Sequence, residues 1–213
     1  MNRYDVITFD CYGTLIDWET GIRRAFAGEG LDADAALAAY AEVEPLVERE
    51  TYRRYHDVLT AAAQAVAERL GTPVARPSFL AESLPSWMPF ADTNAALERL
   101  RAAGIRLGIL SNIDDDLLAS TRRHFTVDFE LIITAQQLRS YKPAAAHFVA
   151  ARQRIGGARW LHAAQSNFHD IVPANALGID TAWINRHGQP PLAGGKPAYE
   201  LRDLAAFADA MTG

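Results

Sequence analysis

Phe9-Asp10-Cys11-Tyr12-Gly13-Thr14-Leu15 begins on the last residue of the apolar run Tyr4–Phe9 (YDVITF) near the start of a 213-residue chain. A short, partly β-branched run that stops at a carboxylate and then meets a glycine reads as a buried strand ending in a tight turn. Backbone N–H groups in such a turn can hold a carboxylate. A carboxylate so held can attack an electrophilic carbon or phosphorus and form a covalent intermediate. Taken alone, the stretch also admits a loop-capping Asp10 with Gly13 making the turn.

Comparable runs recur at Ile105–Leu110 (IRLGIL), Leu131–Thr134, Trp160–Ala164 and Thr181–Ile184. Helical patterns separate them. Thr93–Ala103 puts Ala96, Leu97 and Leu100 on one face and stops at Gly104. Asp114–Phe125 opens on acidic residues that suit a helix N-terminus. Pro143 stands where the first residue of a helix over Pro143–Ile155 would be. Asp170–Leu177 precedes Gly178, and Leu201–Met211 closes the chain. Alternating strands and helices predict parallel βαβ units with right-handed crossovers. Ligands in such sheets sit beyond the carboxyl ends of the strands. That rule gathers Asp10, Ser111, Asn112 and the Gln165–Asp170 loop on one edge, within reach of Lys142.

Residues from about Asp17 to Met88 break the alternation. They are rich in Ala and Glu, and Tyr52–Leu70 reads as an amphipathic helix with Tyr55, Val58, Leu59 and Val66 facing inward. The expected class is α/β: a Rossmann-like parallel sheet core (1–16 and 89–213) with an inserted helical cap (17–88).

The net charge is −5 and the two signs are interspersed. No Lys/Arg run marks a nucleic-acid surface. Cys11 is the sole cysteine, so no internal disulfide can form, which suits a reducing cytoplasm. No signal pattern opens the chain, and no apolar run approaches the ~20 residues of a membrane span. The expectation is a cytoplasmic protein with a small-molecule partner and no nucleic-acid or membrane partner.

Three further stretches carry candidate chemistry. ILSN ends in Ser111 and Asn112, whose hydroxyl and amide can bind a carboxylate or phosphate oxygen, or start the next helix. In SYKP, Lys142 precedes a proline that keeps it out of helical conformation. A cation there can neutralise charge around a nucleophile. In AAQSNFHD, Asp170 can orient a water, with Asn167 and Ser166 as hydrogen-bond partners. His169 has a side chain suited to proton transfer.

In this order the four motifs resemble the haloacid dehalogenase superfamily over nearly the whole chain, and most of all its (S)-2-haloacid dehalogenase branch. The resemblance implies that Asp10 displaces halide from C2 of a small 2-haloacid, forming an ester. Water positioned by Asp170 and Asn167 then releases the hydroxyacid, while Thr14 and Lys142 orient Asp10. Substrate-binding positions fall at Cys11, Tyr12, Ser111, Asn112, Gln165, Ser166 and His169. Homodimers are common in that branch.

Departures from the family pattern sharpen this. Superfamily phosphatases carry a second aspartate two positions after the nucleophile, and here that position is Tyr12. Their metal-binding aspartate corresponds to Gln165, a poor Mg²⁺ ligand. The implied site therefore works on carbon without a metal or other cofactor. Mg²⁺ belongs to the alternative reading, a phosphatase acting on a small phosphate ester; a catalytically degenerate binding protein is the third. The cap stretch Leu37–Pro45 lacks the arginine that meets the leaving halide, with Arg49, Arg53 and Arg54 as possible substitutes. A family serine is replaced by Gln165. A family tyrosine is replaced by Phe148, which would remove a hydroxyl near the substrate carboxylate.

Overall fold

A computed structural model describes residues 3–48 and 51–213. Among these residues six strands form one parallel sheet: β1 (Val6–Phe9), β2 (Arg106–Ser111), β3 (Leu131–Thr134), β4 (Trp160–Ala164), β5 (Asp180–Ile184) and β6 (Tyr199–Leu201). Their order across the sheet is β3-β2-β1-β4-β5-β6. All four residues of β1 are buried, as a central strand covered on both faces requires. Phe9 pairs with Ile109 on one side and Ala163 on the other. Asp10, Leu110 and Ala164 are thus level, and the sites that follow them leave the sheet at one edge.

Between β1 and β2 lie α1 (Trp18–Gly28), α2 (Ala33–Glu48), α3 (Tyr55–Arg69), α4 (Phe79–Ser83) and α5 (Thr93–Ala102). Helix α2 packs against both α1 and α3. Val58, Leu59 and Val66 of α3 are buried, and Tyr55 is half-buried against the same core. The chain departs from and returns to the sheet side by side. Asp17 N donates to Met88 O at 2.9 Å and Phe90 N to Leu15 O at 3.1 Å. Trp87 lies so close to α1 that a Cβ on Gly21 would stand 2.4 Å from its ring, so this approach needs glycine.

Asp114 joins the helical segment to the sheet. It is the residue before α6 (Asp115–Thr121), yet its carboxylate does not cap that helix. It accepts instead from Tyr55 N at 3.1 Å and His56 N at 3.0 Å, the exposed amides of the first turn of α3. With α7 (Ala135–Leu138), α8 (Ala146–Ile155), α9 (Val172–Ala176) and α10 (Leu204–Thr212), the helices cover the sheet. No helix among the described residues is long and apolar enough to cross a membrane.

Several local readings are corrected. Helix α8 starts at Ala146, because Tyr141 to Ala144 form a turn closed by Ala144 N to Tyr141 O at 3.0 Å; Pro143 precedes the helix rather than opening it. Tyr52 to Arg54 lie outside α3. The pattern over Asp114–Phe125 splits into α6 and a 3₁₀ turn at Arg122–His124. The stretch over Asp170–Leu177 begins inside a π-helical turn, Asn167–Ile171, and continues as α9. Leu201 belongs to β6, a three-residue edge strand too short and too polar to show a strand period.

Candidate active site

The turn after β1 is tight. Leu15 N and Ile16 N both donate to Cys11 O, and Gly13 has φ +96°, a conformation that favours glycine. This brings Thr14 back under Asp10. Thr14 Oγ1 donates to Asp10 Oδ2 at 3.0 Å and accepts from Gln165 N at 2.9 Å. The other oxygen, Asp10 Oδ1, accepts from Lys142 Nζ at 2.9 Å. Lys142 also donates to Asp170 Oδ1 at 2.6 Å and to Leu110 O at 2.9 Å. All three donors of this buried ammonium are therefore used.

Behind Asp170 the polar chain continues into the sheet. Trp160 Nε1 donates to Thr8 Oγ1 at 2.8 Å. Thr8 Oγ1 lies 2.8 Å from His162 Nδ1, and His162 Nε2 lies 3.0 Å from Asp170 Oδ1. Because Thr8 accepts from Trp160, its own O–H is free to donate to Nδ1. Nε2 then carries the proton that Asp170 accepts, which assigns the tautomer by its partners. Burial raises the Asp170 carboxyl, but Lys142 and the His162 hydrogen bond outweigh it and hold it well below the usual range. Burial dominates at Asp10 and pushes its carboxyl above the ordinary value, with Lys142 pulling the other way.

Asp10 and Lys142 face a cavity of about 180 Å³. Ser111, Asn112 and Asp170 line it from the sheet edge, and Gln165, Ser166 and His169 from the loop after β4. Ser111 Oγ and Asp170 Oδ2 are buried there without a hydrogen-bond partner among the described residues. Tyr12 closes one side, its hydroxyl 2.8 Å from Thr121 Oγ1. The opposite wall comes from the helical segment: Trp18, Tyr40, Glu44, Glu48, Tyr55 and Trp87. Burial and then Glu44 push the Glu48 carboxyl up to about 8, and burial raises Glu44 as well.

Of the residues singled out from sequence, Asp10, Tyr12, Ser111, Asn112, Lys142, Gln165, Ser166, His169 and Asp170 converge on this cavity. Others do not. Cys11 points into the hydrophobic core and is fully buried. Asn167 is buried off the cavity; its Oδ1, without a partner among the described residues, would lie 2.8 Å from a Cβ on Gly195. Neither Asn167 nor Ser166 holds the Asp170 side chain: Ser166 Oγ accepts from His169 N, and Asp170 bonds Lys142 and His162. The Asn112 amide is fully engaged, with Lys142 on both sides and Glu48 as a third partner. Phe148 packs edge-on against His162 in the core, 5.3 Å between ring centroids, and does not itself line the cavity. Arg53 and Arg54 do not line the cavity, and Arg54 pairs with Asp114 and Asp116; Arg49 lies outside the described residues.

Sequence reasoning missed His162, Glu44, Glu48 and the aromatic wall. A signal was present for part of it. Tyr40, Glu44 and Glu48 stand at four-residue spacing, which sets two like charges on one helix face beside an aromatic ring. His162 interrupts an otherwise apolar strand.

A model of the haloacid dehalogenase-like hydrolase family matches residues 4–165. The (S)-2-haloacid dehalogenase of Pseudomonas putida is 28% identical, aligned over 98% of this chain and 97% of its own. Haloacetate dehalogenase H-2 of a Moraxella species is also 28% identical, over 88% of each chain. The fold is shared with the L-2-haloacid dehalogenase from Xanthobacter autotrophicus, solved with chloropropionic acid covalently bound. That likeness has a TM-score of 0.84 at 17% identity and covers 99% of both chains. The parallel sheet, the ordered motifs at its carboxyl edge and the match over most of the chain lead to one conclusion: the chain belongs to the haloacid dehalogenase-like hydrolases.

Proposed function

We propose that the chain hydrolyses the carbon–halogen bond of a small 2-haloacid through an ester on Asp10, without a metal. The observation that carries this is the Asp10 carboxylate at the cavity floor, held by Thr14 on one oxygen and Lys142 on the other, with Tyr12 where a phosphatase would need an acid. An Asp10 oxygen attacks C2, the carbon–halogen bond breaks, and halide leaves with the bonding pair and needs no proton. Water then attacks the Asp10 carbonyl carbon. The hydroxyacid departs with one of the water's protons, and the other goes to solvent. Asp170 Oδ2, without a partner among the described residues, accepts from that water and aims it. Ser111 Oγ offers a donor to the substrate carboxylate. Orienting the attacking carboxylate matters because well-placed intramolecular attack supplies ~7–11 kcal/mol.

The donor set does not suit Mg²⁺. Lys142 already occupies the Oδ1 atoms of both Asp10 and Asp170, and Gln165 brings a neutral amide where a further carboxylate would be needed. In this reading residues 17–88 act as a cap over the core residues 1–16 and 89–213.

Incubation with 2-chloropropionate or bromoacetate in EDTA should release halide, and Asp10→Asn should abolish it. A single turnover in ¹⁸O-water should put the label in the Asp10 peptide. Turnover of phosphate esters that EDTA stops, with no halide from any haloacid, would overturn the reading.

A further inference from the structure

The wall of the cavity facing Asp10 carries acid and aromatic groups where a halogenated anion would call for a cation. Glu44 and Glu48 lie one turn apart on α2, and the Glu48 side chain is 8% exposed. The Tyr55 hydroxyl donates to Glu44 Oε1 at 2.9 Å, and Asn112 Nδ2 donates to Glu48 Oε1 at 3.0 Å. His169 Nε2 lies 3.7 Å from Glu48 Oε2. Trp18 and Tyr40 stand beside them with centroids 5.8 Å apart, and Trp87 completes the wall. Among the described residues no arginine lines the cavity, and its one lysine, Lys142, has spent its three donors on Asp10, Asp170 and Leu110 O. At the other end Ser111 Oγ is buried and has no hydrogen-bond partner among the described residues.

Carboxylates combined with the faces of tryptophan and tyrosine are the chemistry that recognises ammonium groups. We propose that the substrate is a small halogenated acid whose chain ends in a cationic amine, seated against Glu44, Glu48, Trp18 and Tyr40 while the halogen-bearing carbon faces Asp10. The reacting end of this assignment rests on the Asp10 reading above; the cation end does not. A bound ammonium favours the ionised forms of Glu44 and Glu48, which burial otherwise opposes.

Tryptophan fluorescence of the full chain reads the site directly, since Trp18 and Trp87 line it. Tetramethylammonium should bind saturably and at least tenfold more tightly than tert-butanol, its neutral counterpart in shape, and more tightly than acetate. That comparison uses the unmodified protein. Glu44→Gln and Glu48→Gln should each weaken tetramethylammonium at least tenfold while thermal melting shows them folded. Equal affinity for tetramethylammonium and tert-butanol, or preference for acetate, overturns the proposal. In turnover, 4-ammonio-2-bromobutyrate should exceed 2-bromobutyrate at least tenfold in kcat/KM. Turnover of 2-bromobutyrate with no ammonium preference and no tetramethylammonium binding sinks this proposal and leaves the Asp10 reading standing. Tetramethylammonium binding with no halide released from either acid supports the cation site and sinks the Asp10 reading.

Discussion

Asn112 clamps Lys142 by both of its backbone polar groups. Its Oδ1 accepts from Lys142 N at 2.7 Å and its Nδ2 donates to Lys142 O at 2.9 Å. The end of β2 thereby sets where the loop after β3 delivers its ammonium. The same Nδ2 reaches Glu48 on α2, so one amide ties two strands' loops to the helical wall.

Asn112→Ala should therefore act through Lys142. A displacement of about 1 Å in a catalytic group can cost ~10²-fold, so kcat for halide release should fall by one to two orders of magnitude with a smaller change in KM. The unmade bond to a buried amide should lower stability by ~1–3 kcal/mol. Urea denaturation and steady-state kinetics check both. An unchanged kcat would remove Asn112 from the positioning of Lys142.

Lys142→Met removes the one charge that lies between Asp10 and Asp170. Asp10 must be ionised to attack, and burial already raises its carboxyl. Without the ammonium, two buried carboxylates face each other and one keeps its proton to higher pH. The acid limb of kcat/KM should move upward by at least one pH unit. Loss of a buried ion-pair partner should cost ~3–5 kcal/mol. A pH–rate profile and a melting curve provide the test; an unmoved acid limb would contradict the role given to Lys142.

Glu48 sets a pH dependence of stability. Its carboxyl is raised from 4.5 to about 8 in the folded state, by burial first and Glu44 second. Below about 4.5 folded and unfolded chains both hold the proton, so its contribution is fully present. Between these values only the folded chain holds it, and stability drains away as the pH rises through about 8. Glu48→Gln carries no such proton. Its Tm should match the parent near pH 4.5 and exceed it by several degrees at pH 9, given roughly 2–4 °C per kcal/mol for a chain of this size. Parallel curves at all pH values would refute the shift.

Asp114→Asn should loosen the helical segment from the sheet. Asp114 accepts from two first-turn amides of α3 and pairs with Arg54 at 3.4 Å. An asparagine keeps one acceptor and loses the charge that favours a helix N-terminus, so the loss should be ~1–2 kcal/mol. Hydrogen exchange should quicken first at Tyr55 and His56. Uniform exchange across the chain would argue against a local docking role.

The sequence by itself determined the parallel sheet and the four motifs at its carboxyl edge. Apolar runs, turn glycines and strand–helix alternation are local signals, and parallel register carries their ends to one edge whatever the details. Asp10, Lys142, Asp170 and Ser111 were legible for that reason. The tertiary structure alone decided what those residues face. Whether Glu44 and Glu48 look into solvent or into the cavity depends on how α2 packs on α3, and on where Asp114 docks α3 fifty-nine residues away in sequence. Phe148 and Asn167 sit on elements whose direction was readable but whose inward and outward faces were not. His162 acquires its role only through Thr8 on one neighbour in the sheet and Asp170 beyond its own strand. Contacts between distant segments are set by packing and by the satisfaction of buried polar groups, and no local pattern records them.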